Sequence, residues 1–235
     1  MARPLVGLIV PSSNPTIERY IASSGVSARL GVDFVCTRIR VRHIDAGADS
    51  SGQFSELEMR TAAELLVDAG VSAVLWAGTS GFWLGGAREQ TVLDRVSARI
   101  GCPVGSSRQA MLAALAESGA ERLAVLTPYI DVIHQAVVAD LVAAGYVISA
   151  HAGLNMSHNL SFAQIPAEEL AAEISKLGVG GDPVVVVCTN MLGLCSGLDP
   201  SVFVVDSVLA TLWYAARLNG ATALSYRSAG GYADV

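Results

Sequence analysis

Val6-Gly-Leu-Ile-Val-Pro11 and Leu123-Ala-Val-Leu-Thr-Pro128 are two versions of one pattern, an apolar run that stops at proline and opens into a polar loop. The first loop carries Ser12-Ser13-Asn14 and the second carries Tyr129. Apolar runs that do not alternate fit parallel strands covered on both faces. The likeness continues in order along the chain. Val74-Leu-Trp-Ala-Gly78-Thr79-Ser80 parallels Val184-Val-Val-Val-Cys188-Thr189-Asn190, and Pro103-Val-Gly-Ser106-Ser107 parallels Phe203-Val-Val-Asp206-Ser207. Three matched strand ends imply two copies of one α/β unit, with a boundary near residues 105–122. The competing reading is that any two α/β lobes share Val-rich strands.

Working outward, strands are expected at Val6–Val10, Asp33–Val41, Ala73–Ala77, Pro103–Gly105, Leu123–Thr127, Val147–His151, Val184–Cys188 and Val202–Val205. Ala/Leu-rich stretches of helical spacing lie between them, at Ser55–Asp68, Ala87–Arg99, Arg108–Ser118, Val132–Ala144, Ala167–Leu177 and Ser207–Leu218. Strand–helix alternation of this kind is a doubly wound α/β architecture. The expected organisation is two pseudo-symmetric Rossmann-like lobes, each a parallel sheet flanked by helices, with the active site between them. Residues 1–107 plus 219–235 form the first lobe, and 108–218 the second.

With 52% hydrophobic and 15% charged residues, the chain can bury a large core. Its net charge of −6, with no Lys/Arg cluster, argues against a nucleic-acid partner. No apolar run reaches the ~18 residues that a membrane span needs. The apolar run that follows the N-terminus ends at Pro11, too soon for a signal-peptide core. Cysteines 36, 102, 188 and 195 form no CxxC and are too few to staple the chain, so a reducing cytoplasm is the expected compartment. His43, His134, His151 and His158 fall at no metal-binding spacing, and a surface position is the default for His134. Neither GxGxxG nor GxxxxGK[ST] occurs, so no metal or cofactor is implied.

In open α/β sheets, function gathers at the carboxyl ends of the strands. If the halves face each other, Asn14, Gly78-Thr79-Ser80, Tyr129 and Cys188-Thr189-Asn190 line one cleft. That set is rich in small hydroxyl and amide donors and has neither carboxylate nor lysine, which suits a small anionic substrate. Each member also has a plainer reading. Cys188, ending a strand before a turn, is either a proton-transfer thiol with its pKa lowered by nearby N–H groups or a buried packing residue. Thr79 and Ser80 are either hydroxyl donors or helix caps. Tyr129 is a donor into the cleft or a lid, and Asn14 a ligand or an N-cap before Pro15. Cys195 has no assigned role, since Cys188-x6-Cys195 matches no zinc spacing.

Nearly the whole chain resembles the aspartate/glutamate racemase superfamily, in the branch holding maleate cis–trans isomerase and arylmalonate decarboxylase. The pieces that carry the resemblance are Gly7-Leu-Ile-Val-Pro-Ser-Ser-Asn14, Gly78-Thr-Ser-Gly-Phe82, Tyr129-Ile-Asp131, Asn159 and Cys188-Thr-Asn190. The resemblance implies two facing lobes with one thiol from each. Here the second-lobe position is Cys188 and the first-lobe position is Gly78, so a two-thiol mechanism is lost. Gly-Thr-Ser with a tyrosine and one cysteine looks like the decarboxylase. By that likeness Thr79, Ser80 and Tyr129 would bind an oxyanion and Cys188 would protonate one face of an enediolate. Pro-Ser-Ser-Asn14, the basic Arg38-Ile-Arg40-Val-Arg42 and Asn159 look more like the isomerases, where such asparagines grip a carboxylate beside Thr189.

The resemblance therefore implies a cofactor-independent decarboxylase of disubstituted (aryl)malonates. The alternatives are a maleate-isomerase-like or racemase-like enzyme of a small dicarboxylate, and a carboxylate-binding protein without catalysis. A thiol restored by Gly78→Cys is expected to add α-proton exchange. Oligomeric state is not legible.

Overall fold

The computed structural model describes residues 2–45, 47 and 52–230. The strands are β1 (Leu5–Pro11), β2 (Asp33–Ile39), β3 (Ala73–Trp76), β4 (Val104–Ser106), β5 (Arg122–Tyr129), β6 (Val147–Met156), β7 (Val184–Val186) and β8 (Val204–Asp206). The helices are α1 (Thr16–Ser24), α2 (Val26–Leu30), α3 (Glu56–Asp68), α4 (Gly81–Leu84), α5 (Gly86–Ile100), α6 (Ser107–Ser118), α7 (Asp131–Ala143), α8 (Asn159–Phe162), α9 (Ala167–Leu177) and α10 (Ser207–Leu218). The six helices expected from sequence lie within a residue of their predicted ends.

Two four-stranded sheets form, ordered β2-β1-β3-β4 and β6-β5-β7-β8, and every pairing is parallel. The two orders are the same, so the internal repeat is a repeat of topology. Strands β3, β7 and β8 are buried at every residue, as unbroken apolar runs require.

Strand β2 stops two residues short of its expected end. Beyond the pairing of Pro11 with Ile39, β1 turns away and leaves β2 without a partner. The released segment crosses to the other half, where Ile44 N–H donates to the Ser157 carbonyl at 2.9 Å. His43 and His158 meet there in an antiparallel bridge. Strand β6 correspondingly runs on to Met156, past the expected His151.

The seam between the halves is built from α6 and α10, the helices that follow β4 and β8. They pack on each other, α10 also packs on β3, and α6 also packs on β8. Gly105 of β4 permits this approach, because a Cβ there would lie 3.1 Å from the Tyr214 ring. Inside the seam the Ser107 and Thr211 hydroxyls share a 2.7 Å hydrogen bond. The tail is tied to residues of the 108–218 part. Tyr226 N–H donates to Glu117 of α6 at 2.6 Å, and the Tyr226 hydroxyl accepts from Asp206 N–H at 2.9 Å. Assigning 1–107 plus 219–235 to one lobe and 108–218 to the other remains our proposal, with residues 231–235 outside the described part.

Asp206 caps α10 through Leu209 N–H (2.8 Å) and also accepts Gly193 N–H (2.6 Å). It thereby anchors the loop that follows β7. Burial pushes its carboxyl up to about 6, against these N–H groups that lower it. An unfolded Asp titrates near ~3.9. The folded state holds the proton longer, so this contribution to stability is complete below about pH 4 and is lost as pH rises through about 6. Asp206→Asn should flatten that decline in melting temperature across pH 4–7. Asp206→Ala, which strands two buried N–H donors, should lower stability by about 1–3 kcal/mol in denaturant titrations.

Candidate active site

Four strand ends converge. Pro11 ends β1 and releases Ser12-Ser13-Asn14; β3 releases Ala77 to Ser80; β5 ends on Tyr129; and β7 releases Val187 to Asn190. Ala77 and Val187 each add one further backbone bond to the neighbouring strand, to Ile9 and Leu126 carbonyls at 2.9 Å. The residues at positions 78 and 188 thus leave their sheets at equivalent points.

The side chains then knit the halves together. Thr79 Oγ1 and the Tyr129 hydroxyl are 2.8 Å apart, both buried. Asn14 Nδ2 donates to Thr189 Oγ1 at 3.1 Å, and that hydroxyl donates to the Ala77 carbonyl at 2.8 Å. Asn14 Oδ1 meanwhile accepts the Thr16 and Ile17 N–H groups (2.9 and 3.3 Å), so this residue caps α1 as well as crossing the cleft. Asn159 Nδ2 reaches Ser13 Oγ at 2.8 Å, and Asn190 Nδ2 reaches the Asn159 carbonyl at 2.6 Å. Thr16 Oγ1 donates to Asn190 Oδ1 at 2.9 Å.

A narrow cavity of about 10 Å³ lies at this convergence. Gly78, Thr79, Ser80, Tyr129, Asn159, Cys188 and Thr189 line it, whereas Asn14 stands one hydrogen bond behind Thr189. The rest of its lining is apolar: Pro11, Val41, Ile44, Phe54, Trp76 and Trp83. Sequence reasoning missed those six. Val41 and Ile44 come from the segment released by β2, and Trp83 follows the Thr-Ser-Gly turn on α4, so only the fold brings them in. Among the described residues, the lining contains no carboxylate, lysine, arginine or histidine.

Two expectations need correction, on His134 and Cys188, while the basic stretch lies outside the cavity: Arg38 donates to the carbonyls of Pro11, Ser12 and Asn14 and pairs with Glu18, and Arg40 and Arg42 are exposed. Arg38 shapes the loop behind the site. His134 is buried, not at the surface. Its Nδ1 meets Thr127 Oγ1 at 3.0 Å and its Nε2 meets His151 Nδ1 at 2.9 Å, and that same Thr127 hydroxyl accepts Tyr129 N–H at 3.3 Å. Burial, then His151, lowers its pKa.

The second correction is the state of Cys188. Its sulfur accepts Asn190 N–H at 3.4 Å, and this bond and the neighbouring Tyr129 hydroxyl favour the thiolate. Complete burial outweighs them and pushes the thiol up to about 12. Tyr129 also stays a neutral phenol, held well above the ordinary value by burial and by the neighbouring sulfur. Its ring is clamped by Trp83 (5.0 Å between centroids) and Phe162 (5.6 Å).

Opposite Cys188, position 78 has no room for any side chain. A Cβ there would lie 2.2 Å from Trp76 Cζ2 and 2.4 Å from Cε2. The indole is itself held by an Nε1–H bond to Ser80 Oγ at 3.0 Å, which leaves the serine's own hydrogen to donate. Gly78→Cys alone therefore cannot restore a first-lobe thiol without displacing Trp76.

The model of the family described as arylmalonate decarboxylase matches residues 6–230. The chain belongs to this family. A maleate isomerase of Nocardia farcinica is 28% identical over 190 residues, covering 78% of this chain and 75% of that protein. The maleate cis–trans isomerase of that organism, solved with a covalently bound succinylcysteine intermediate, superimposes with a TM-score of 0.79 at 25% identity, covering 92% of this chain and 93% of the other. A crystal structure of arylmalonate decarboxylase shares the fold with a TM-score of 0.73 at 23% identity, covering 92% and 93% of the two chains. The chain is thus an enzyme-family member with an α/β fold of two parallel sheets. Cys195 stays apart, lining a separate open pocket beside Asn190 and Met191, and it is unpaired, as are Cys36, Cys102 and Cys188. No helix among the described residues is long and apolar enough to cross a membrane.

A buried, protonated sulfur is slow to alkylate. Iodoacetamide at pH 8 should leave Cys188 unmodified in the native protein while the denatured chain labels fully, as read by peptide mass spectrometry. Native labelling of Cys188 at the rate of an ordinary exposed thiol would contradict the state described.

Proposed function

We propose that this protein is a cofactor-independent decarboxylase of α-substituted malonates, in which Cys188 protonates one face of the intermediate. The carrying observation is that the cavity holds one thiol, Cys188, while Gly78 across from it is overlaid by the Trp76 indole. A mechanism that needs a sulfur on each face has no second sulfur.

The chemistry follows from the lining. Ser80 and the Thr79–Tyr129 pair, whose mutual bond leaves it one free hydroxyl hydrogen, face one carboxylate, while Val41, Ile44, Phe54 and Trp83 surround the other with apolar surface. An apolar setting destabilises a carboxylate more than neutral carbon dioxide and so favours its departure. The bond between the α-carbon and that carboxylate breaks and carbon dioxide leaves. The electron pair stays on the remaining fragment as an enediolate whose oxygens face the hydroxyl donors. The Cys188 S–H bond then breaks, its proton forms the new C–H bond, and the product carboxylate is released. The sulfur, briefly anionic, is held by Asn190 N–H until it regains a proton from water. Delivery from one side makes one enantiomer.

A second reading is favoured by the asparagine network and by the similarity to maleate isomerases. In it, Cys188 as thiolate adds to the double bond of a small cis-dicarboxylate, the single bond formed rotates, and elimination returns the trans isomer. This needs a nucleophilic thiolate, whereas burial favours the proton-donating form. A protein that binds carboxylates without turnover is a third reading, marked by thermal stabilisation alone.

Cys188→Ala should reduce carbon dioxide release from malonates by at least ~10²-fold, the usual scale for a lost general acid. Retention of full activity would overturn the assignment. Because the working form is the protonated thiol, kcat/KM should stay level from neutral pH to about pH 10. The isomerase reading predicts a rise of about tenfold per pH unit over that range, as the thiolate fraction grows. Reaction in deuterated water separates them further, since decarboxylation couples carbon dioxide release to one α-deuterium per product.

A further inference from the structure

Trp76 does more than exclude a side chain at position 78. It is the last residue of β3 and is buried, with its indole fixed by the bond to Ser80 Oγ at 3.0 Å and by an edge contact to Phe54 at 5.7 Å between centroids. On one side it faces the cavity that holds Gly78, Thr79 and Cys188. On the other it faces a second cavity of about 30 Å³, whose body is Met59, Leu84, Val92 and Leu93 and whose polar groups are Ser80, Arg88 and Glu89. Phe54, Trp76 and Ser80 belong to both linings, so these side chains form the partition between the two spaces.

The structure assigns to Trp76 the role of a specificity wall that limits the α-substituent of the substrate to small alkyl groups, with an apolar chamber for an aryl group closed off behind it. The reaction named here rests on the decarboxylase reading; the size limit rests on the partition alone. Three features carry it. The substrate cavity is small and has four aromatic side chains, Phe54, Trp76, Trp83 and Tyr129, on its perimeter, so a phenyl ring beside two carboxyl groups would collide with the indole. The chamber behind is apolar over most of its lining, with Glu89 at its edge, and so suits a ring. The indole is larger than a phenyl ring, so its removal frees enough space for one. The single bond from Nε1 to Ser80 gives the wall a fixed orientation and keeps it from swinging aside as a rotamer.

The test compares methylmalonate with phenylmalonate, using the intact chain and its Trp76→Ala and Trp76→Leu variants. The leucine variant retains apolar packing should the alanine variant fail to fold. Carbon dioxide release gives kcat/KM, and calorimetry gives binding of 2-phenylpropanoate against propanoate. The unsubstituted protein should prefer methylmalonate by about a hundredfold, the scale on which pocket size discriminates. In the variants that preference should shrink by about tenfold or more, with 2-phenylpropanoate binding gained in parallel. The wall is overturned if the unsubstituted protein handles phenylmalonate as well as methylmalonate, or binds 2-phenylpropanoate as tightly as propanoate. It is also overturned if both folded variants keep the original preference in turnover and binding. A different result, no carbon dioxide from either malonate but 2-phenylpropanoate binding gained in the variants, would sink the decarboxylase reading and leave the wall standing.

Discussion

A phenol oxygen buried between two sheets must find a hydrogen-bond partner there or lose what water gave it, and Tyr129 finds one across the cleft. Thr79 of the first half lies 2.8 Å away, and Tyr129 itself ends a strand of the second half beside Cys188. Leaving such a group unpaired would cost about 1–3 kcal/mol, more than its bonds contribute net. The interaction therefore works mainly as a constraint on position. It sets the distance between the two strand-end loops, and Asn14–Thr189 and Asn159–Ser13 repeat the same logic around the rim. None of these cross-cleft ties is an ion pair, so salt should loosen them little.

The arrangement explains why the two halves are alike in topology yet unlike in chemistry. The repeat delivers equivalent backbone at Gly78 and Cys188, each one residue past its last bond to the neighbouring strand. What differs is the residue two places earlier in the chain. Trp76 in the first half projects a bicyclic ring over position 78, while the equivalent residue of the second half is the much smaller Val186. The one-sided placement of sulfur is therefore fixed by packing at β3 as much as by the identity of residue 78.

Much of this was legible in the chain itself, for a physical reason. Parallel strands buried on both faces must be apolar throughout, and they must end where polar loops begin, so matched strand ends such as Val6–Pro11 and Leu123–Pro128 stand out. Their registration paired Gly78 with Cys188 before any coordinates did. What could not be read were properties created by tertiary burial. The N–H groups around Cys188 are local and foreseeable, but the desolvation that outweighs them depends on everything packed around the sulfur. His134 lies on a helix with little amphipathic signal, and only the Thr127 and His151 contacts reveal why it is inside. The basic Arg38-Ile-Arg40-Val-Arg42 was legible as a feature but its place was not, since three loop carbonyls claim the Arg38 guanidinium.

A neutral cavity is a reasonable place to make an enediolate. A malonate arrives with its charge spread over two carboxylates, and loss of neutral carbon dioxide leaves the same total charge on fewer atoms. Cationic side chains would hold the substrate and the intermediate about equally, which lowers KM without speeding the chemical step. Fixed hydroxyl donors at one end act differently, because their interaction grows as charge concentrates on the two oxygens they face. On the proposed decarboxylase reading, Ser80 and the Thr79–Tyr129 pair are such donors, each oriented by a neighbour: Thr79 and Tyr129 by one another, Ser80 by the Trp76 indole. Placing every nearby guanidinium outside the cavity lets the donors discriminate between the start and the summit of the reaction. On this argument the absence of a positive charge from the lining is a condition for catalysis, and the burial that keeps Cys188 protonated follows from the same dry, uncharged design.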